Sequence, residues 1–225
     1  MKVDLISVPE NTLRTIYTAC RTCYSADYPI NIFDNTKETE SEKMLKLVNK
    51  VLESGHHSTI EHCQFVFSIS GVSRACTHQL VRHRHMQFSQ KSQRYVTEKK
   101  QFKYVTPKSI QDPEILEFYE NHMILSQRLY NVMILKGIPA EDARFVLPNA
   151  ATSSMVASLN LRELIHLANL RLCNKAQWEI RAVVQFMCNL VIDKEPWLKE
   201  YLQPKCYKDK KCNEIKGCGR HGKEL

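Results

Sequence analysis

The sequence predicts an α+β fold in which long helices surround an antiparallel sheet. Short period-two stretches stand at residues 2–8 and 63–70, while much longer stretches of helical periodicity fill most of the remainder. The length of 225 residues suits one substantial core, or at most two small ones. No internal repeat or linker cuts residues 1–200. The chain therefore reads as a single domain over 1–202, followed by a Cys-, Lys- and Gly-rich tail over 203–225.

Residues 2–8 alternate well enough for a first strand. Residues 11–20 place Leu13, Ile16, Tyr17 and Cys20 on one helical face, and a polar loop is expected from Ser25 to about Thr36. A helix follows from about Thr39 to Ser54, with an apolar stripe of Met44, Leu45, Val48, Val51 and Leu52, and Gly55 stops it. In residues 63–70, CQFVFSIS, the side chains of Phe65, Phe67 and Ile69 share one strand face. Helical spacing returns over 72–83 through Val72, Cys76, Leu80 and His83. Asp112-Pro113-Glu114 combines an N-cap, a proline at N1 and an acid in the first turn. The helix it opens carries Ile115, Tyr119, Leu125, Leu129 and Val132 as far as Gly137. A short helix from about Ala140 ends before Pro148. Asn160 and Glu163 form a capping-box pattern that opens a helix to about Arg171. A last helix runs from about Ala176 to Ile192 and is closed by Pro196.

The formal net charge is +8 and the sequence pI about 9.0, a balance that favours anionic partners. No apolar run approaches the roughly 20 residues that span a bilayer, so no membrane partner is expected. The N-terminus, MKVDLISVPEN, reads as a strand and not as a signal peptide. A cytoplasmic protein is expected, its nine cysteines kept as thiols.

Chemistry concentrates in Gln79–Tyr95, QLVRHRHMQFSQKSQRY, which holds three arginines and two histidines. Arginine forks grip phosphate bidentately, and a serine with neighbouring amides completes a cradle. Arg82-His83-Arg84, seven residues, then Ser92 resembles the signature of the flavin-dependent thymidylate synthases, also called thymidylate synthase-complementing or ThyX proteins. Three further segments are similar to that family in the same order: Gly55–His62 (GHHSTIEH), Ala143–Pro148 (ARFVLP) and Asn160–Arg181 (NLRELIHLANLRLCNKAQWEIR).

The resemblance implies a ThyX-like fold and a homotetramer with sites shared between subunits. It implies synthesis of dTMP from dUMP, with methylenetetrahydrofolate as carbon donor, FAD as hydride carrier and NADPH as the reductant of the flavin. By the same resemblance dUMP contacts Gln79, Arg82, Gln90, Lys91, Ser92, Gln93, Arg94, Arg144 and Arg171. Arg171 corresponds to the family arginine near N3 of the uracil, where a guanidinium stabilises charge developing on the ring. FAD contacts His56, Ser58, Glu61, Arg82, His83, Arg84, Gln90, Asn160, Leu161, Arg162 and His166. Arg162 and His166, four residues apart on an expected helix, share one face. Gln90 stands where some relatives have Glu, and Lys91 replaces a residue that is usually apolar. Ser92 is read as part of a substrate cradle and not as a nucleophile. The sequence also lacks the Pro-Cys pair that carries the nucleophile in the other thymidylate synthase class.

Other readings compete. A nucleic-acid-binding protein would show a basic helix or aromatics interleaved with basic residues, whereas this cluster is compact and its aromatics are few. His57, Glu61 and His62 miss zinc-protease spacing by one residue. Cys20-x-x-Cys23 is a weak redox pattern. Cys206, Cys212, Cys218 and His221 are four possible zinc ligands, but their gaps exceed the usual two to four residues. No metal is expected on this reading, and the tail is taken as flexible and thiol-bearing.

Overall fold

The computed structural model describes residues 1–98 and 101–219. The strands are β1 (Lys2–Ser7), β2 (Gln64–Ser73), β3 (Gln87–Gln90) and β4 (Thr152–Asn160). They form a four-stranded antiparallel sheet in the order β1-β2-β4-β3. The helices are α1 (Thr12–Thr22), α2 (Pro29–Asn35), α3 (Ser41–Glu53), α4 (Arg74–Leu80), α5 (Pro113–Leu135), α6 (Ala140–Ala143), α7 (Leu161–Arg171), α8 (Trp178–Lys194) and α9 (Lys205–Lys208). The expected class, helices with an antiparallel sheet, is the observed one. No helix among the described residues is long and apolar enough to cross a membrane.

Two compact units share these elements, and all but one of the boundaries between them fall within strands. The first gathers residues 1–3, 68–84 and 88–157. The second gathers residues 4–67, 85–87 and those from 158 onward.

In the second unit α1 packs on α3, and α7 on α8. Ile16, Val48, Phe65, Phe67, Leu161, Leu164, Leu167, Ile180 and Val184 are fully buried there. Helix ends form as their residues dictate. Gly55, at φ +89, turns the chain after α3. Its N–H donates to Leu52 O, and His56 N–H donates to Val51 O, a Schellman closure. Asn160 Oδ1 accepts Glu163 N–H at 2.9 Å and caps α7. Asn160→Ala is expected to lower stability by about 1 kcal/mol in chemical denaturation; an unchanged midpoint would show that the cap contributes nothing.

The polar loop expected over 25–36 is partly wrong, because α2 occupies Pro29–Asn35. Pro29 supplies the preset φ of N1, and Ile32 is buried. Arg14 holds the segment by donating to Phe33 O and Thr36 Oγ1 while its guanidinium lies 4.4 Å from the Phe33 ring centroid.

In the first unit a cluster of Phe102, Met123 and Ala151 is flanked by Tyr104, Tyr119 and Leu147. Gln127 fastens Glu98 and Phe102 to α5: its Oε1 accepts Phe102 N–H at 2.7 Å and its Nε2 donates to Glu98 O at 3.0 Å. That fastening decides which face of α5 is buried. The helix buries Met123, Ser126, Gln127 and Tyr130, and leaves Ile115, Leu125, Leu129 and Val132 more than half exposed.

The helix read over 72–83 begins later. β2 continues through Gly71 to Ser73, and α4 starts at Arg74 with Ser73 Oγ accepting Cys76 N–H. Gly71 makes this possible with φ +68, and a Cβ there would lie 3.2 Å from Met1 N.

Candidate active site

The first unit holds a group of guanidinium cations. Arg94 Nε donates to Glu141 Oε2 at 2.8 Å, and Arg144 Nε donates to the Glu141 carbonyl at 3.0 Å. Glu141 thus anchors both arginines by one nitrogen each, leaving their terminal NH2 groups open among the described residues. Arg94 also stacks on Tyr95, 5.5 Å from the ring centroid. Arg74, at the start of α4, is half-buried, and its side chain meets no acceptor among the described residues. Burial, and then the Arg144 cation, pull the Arg74 guanidinium below its ordinary value. An arginine stays charged in proteins, so two neighbouring cations with no ion pair of their own among the described residues favour a bound anion. The sequence reading did not single out Arg74; it lies eight positions before the Arg-His-Arg triplet, outside the motif.

Ser92 shapes the turn that presents Arg94. Its Oγ accepts Arg94 N–H at 3.2 Å, and its carbonyl accepts Val96 N–H. No imidazole or carboxylate among the described residues bonds to that hydroxyl. Ser92→Ala is expected to slow turnover by no more than about tenfold, the worth of one neutral hydrogen bond. Complete loss with unaltered substrate binding would instead make Ser92 the nucleophile.

The other motif residues of this unit are placed as follows. Gln79 is half-buried near the end of α4. Arg82 and Arg84 are exposed and His83 is buried. Gln90 Nε2 donates to Ser153 Oγ at 3.0 Å. Lys91 pairs with Glu98, which neutralises the added charge. Gln93 is half-buried. The motif also contains a strand, β3, to which no sequence pattern points.

The second unit opens a groove of about 410 Å3 lined by Glu61, His85, Asn160, Arg162, Glu163 and His166. Arg162 and His166 share the exposed side of α7, as their spacing requires. Arg162 Nη1 donates to Glu61 Oε1, a pair about half exposed and therefore a minor contributor to stability. His85 and Glu163 are lining residues that the sequence reading does not assign to a site; His85 directly follows the triplet, and Glu163 is read there only as part of the helix cap. His56 and Ser58 are exposed at the turn leading to β2. Arg171 is half-buried in the last turn of α7. Leu161 is fully buried, and its N–H donates to Cys63 O, so its side chain belongs to the core and not to the groove wall. Burial pushes the thiols of Cys63 and Cys188 up to about 12, which makes both poor nucleophiles.

The model of the thymidylate synthase complementing protein family matches residues 4–197. The chain belongs to that family. A flavin-dependent thymidylate synthase of Geobacter sulfurreducens is 38% identical over 92% of this chain and 88% of its own. The enzyme of the same name from Pyrococcus abyssi is 37% identical over 100% of this chain and 96% of its own. In fold the chain is similar to the crystal structure of the flavin-dependent thymidylate synthase ThyX from Helicobacter pylori complexed with FAD and dUMP. That likeness has a TM-score of 0.68 at 23% identity, and covers 90% of this chain and 100% of the other. The family match spans every residue of the guanidinium group and of the groove.

Proposed function

We propose that this chain makes dTMP from dUMP by reductive methylation, with methylenetetrahydrofolate as carbon donor and NADPH-reduced FAD as hydride donor. The observation that carries the reading is the family match over residues 4–197. The names of its relatives, and the FAD and dUMP held by the Helicobacter pylori protein, support the same substrates.

In this reading the phosphate of dUMP is taken by Arg94 and Arg144, whose open nitrogens are already aimed by Glu141, with Arg74 as a third cation. Gln79, Arg82 and residues 90–93 complete the nucleotide cradle. Arg171 faces the uracil and stabilises negative charge on the ring as C5 becomes nucleophilic. The groove residues suit a flavin dinucleotide, because Arg162, His166 and His85 put cationic or neutral donors on an open surface with the Asn160 amide beside them. His56, Ser58 and the Arg82–Arg84 triplet extend the set proposed for FAD. When bound, FAD supplies the hydride. The chain itself binds, orients and neutralises, and it needs no cysteine adduct, in keeping with the inert thiols of Cys63 and Cys188.

Residues 1–202 act as one catalytic domain in this reading. Each unit is assembled from three separate stretches of chain, so neither can be excised as a continuous segment. The working form is a homotetramer. Exposed Ile115, Phe118, Leu125, Leu129 and Val132 line one stripe of α5, a face of the kind buried between subunits. The location is cytoplasmic, where nine cysteines stay reduced.

The test is an omission series. Protein incubated with FAD, NADPH, methylenetetrahydrofolate and dUMP is expected to form dTMP, and to form none when any one is left out. Formation without flavin, or none with all four present, would overturn the assignment.

A further inference from the structure

Outside the nucleotide and flavin residues, a second cavity of about 320 Å3 in the second unit is lined by Cys173, Cys206, Cys212 and Cys218. Cys173 lies just beyond the end of α7, and the other three lie on the segment after α8. Several contacts bring the four together. α9, which contains Cys206, packs on α7. Lys210 adopts φ 49 and turns the chain between Cys206 and Cys212. Gly217 backs onto Cys212, so that a Cβ on it would lie 3.7 Å from the Cys212 sulfur. Asn174, next to Cys173, donates its side-chain amide to the Cys218 sulfur at 3.7 Å. The Cys206 thiol lies within electrostatic reach of Cys212, Cys173 and Cys218. The sequence offered His221 as the fourth ligand; that residue lies outside the described residues, and Cys173 takes its place in the set.

We propose that Cys173, Cys206, Cys212 and Cys218 form a thiolate-ligated metal centre that fastens residues 205–218 to the end of α7. None of the four is in a disulfide, and none is fully buried. Four soft sulfur donors select zinc or an iron–sulfur cluster over hard cations such as magnesium. Lys175, Lys205 and Lys211 line the same cavity and offset the charge of four thiolates. No three of the sulfurs lie within 4.8 Å of one another. A single zinc ion, with Zn–S bonds of about 2.3 Å, therefore draws the sulfurs closer together as it binds. An iron–sulfur cluster spans a wider set, since its cysteines ligate different iron atoms. Binding releases one proton from each thiol and changes no oxidation state of sulfur. The centre sits two residues beyond Arg171, so it fixes the chain where α7 ends. It stands independently of the nucleotide reading.

The test is elemental analysis of the FAD-loaded full chain, purified in reductant without chelator. About one zinc, or about four irons with inorganic sulfide, is expected per chain. The double variant C206S/C212S is expected to lose at least about nine-tenths of that metal while keeping its bound flavin, and C23S, which alters an exposed cysteine elsewhere, to keep both. Should the double variant fail to fold, metal-free wild type loaded with cobalt(II) decides. Sulfur-to-cobalt charge-transfer absorption, with the four thiols shielded from alkylation, supports the centre. Substoichiometric metal in the purified and the reloaded protein, or metal retained by a folded double variant, overturns it.

Discussion

Arg171→Ala is expected to lower turnover by about 10²- to 10³-fold, the cost of removing one preorganised donor from a developing anion. The same variant is expected to bind FAD within about threefold of wild type, because a group that acts at the uracil contributes to the transition state and little to flavin affinity. Arg171 is half-buried in the last turn of α7, where the helix dipole already favours a cation. A structural role is therefore the alternative explanation of any loss. Arg171→Lys separates the two. It keeps the charge at the helix end but not the planar fork, so stability is expected to return and turnover is not. Equal losses of flavin affinity and turnover in Arg171→Ala would remove the residue from the uracil.

The second large effect belongs to the guanidinium group. Arg144→Ala is expected to weaken dUMP binding by about 10- to 100-fold, the range for a charge-assisted hydrogen bond to phosphate. FAD retention is expected to stay unchanged. Arg144 is anchored through the Glu141 carbonyl, so it arrives preoriented and loses little freedom on binding. Arg74→Ala is expected to act in the same direction and more weakly, since it would contribute charge without a fixed hydrogen-bonding frame. It also relieves repulsion with Arg144 in the free protein. The binding defects of both variants are expected to shrink at high salt. Undiminished dUMP affinity in Arg144→Ala would move the phosphate elsewhere.

Local signals were legible where one residue type determines the backbone. Gly55, Asp112 with Pro113, and Asn160 with Glu163 each mark a helix end that the structure contains. The strand β4 escaped because its inward positions include Ser153 and Ala157, small residues that blur a period-two pattern. On α5 the apolar stripe is a true pattern, yet most of it is not the buried face. Burial there follows Gln127 and Tyr130, which accept the backbone N–H groups of Phe102 and Glu98. The candidate site residues follow the same division. Arg162 and His166 were visible through their spacing on one helix. His85 and Arg74 enter through tertiary position, which spacing along the chain does not encode. The cysteine set shows the same limit, because Cys173 joins three residues more than thirty positions later only once α9 packs on α7.

The central claim is that one protein holds FAD and dUMP as partners in one reaction. The most direct measurement is the visible spectrum of the FAD-loaded protein after gel filtration, titrated with dUMP, followed by NADPH oxidation with and without dUMP. The account predicts retained flavin, a saturable change in its absorption on adding dUMP, and NADPH oxidation that dUMP accelerates. Protein that leaves the column colourless, or flavin whose spectrum and reduction ignore dUMP, would contradict it.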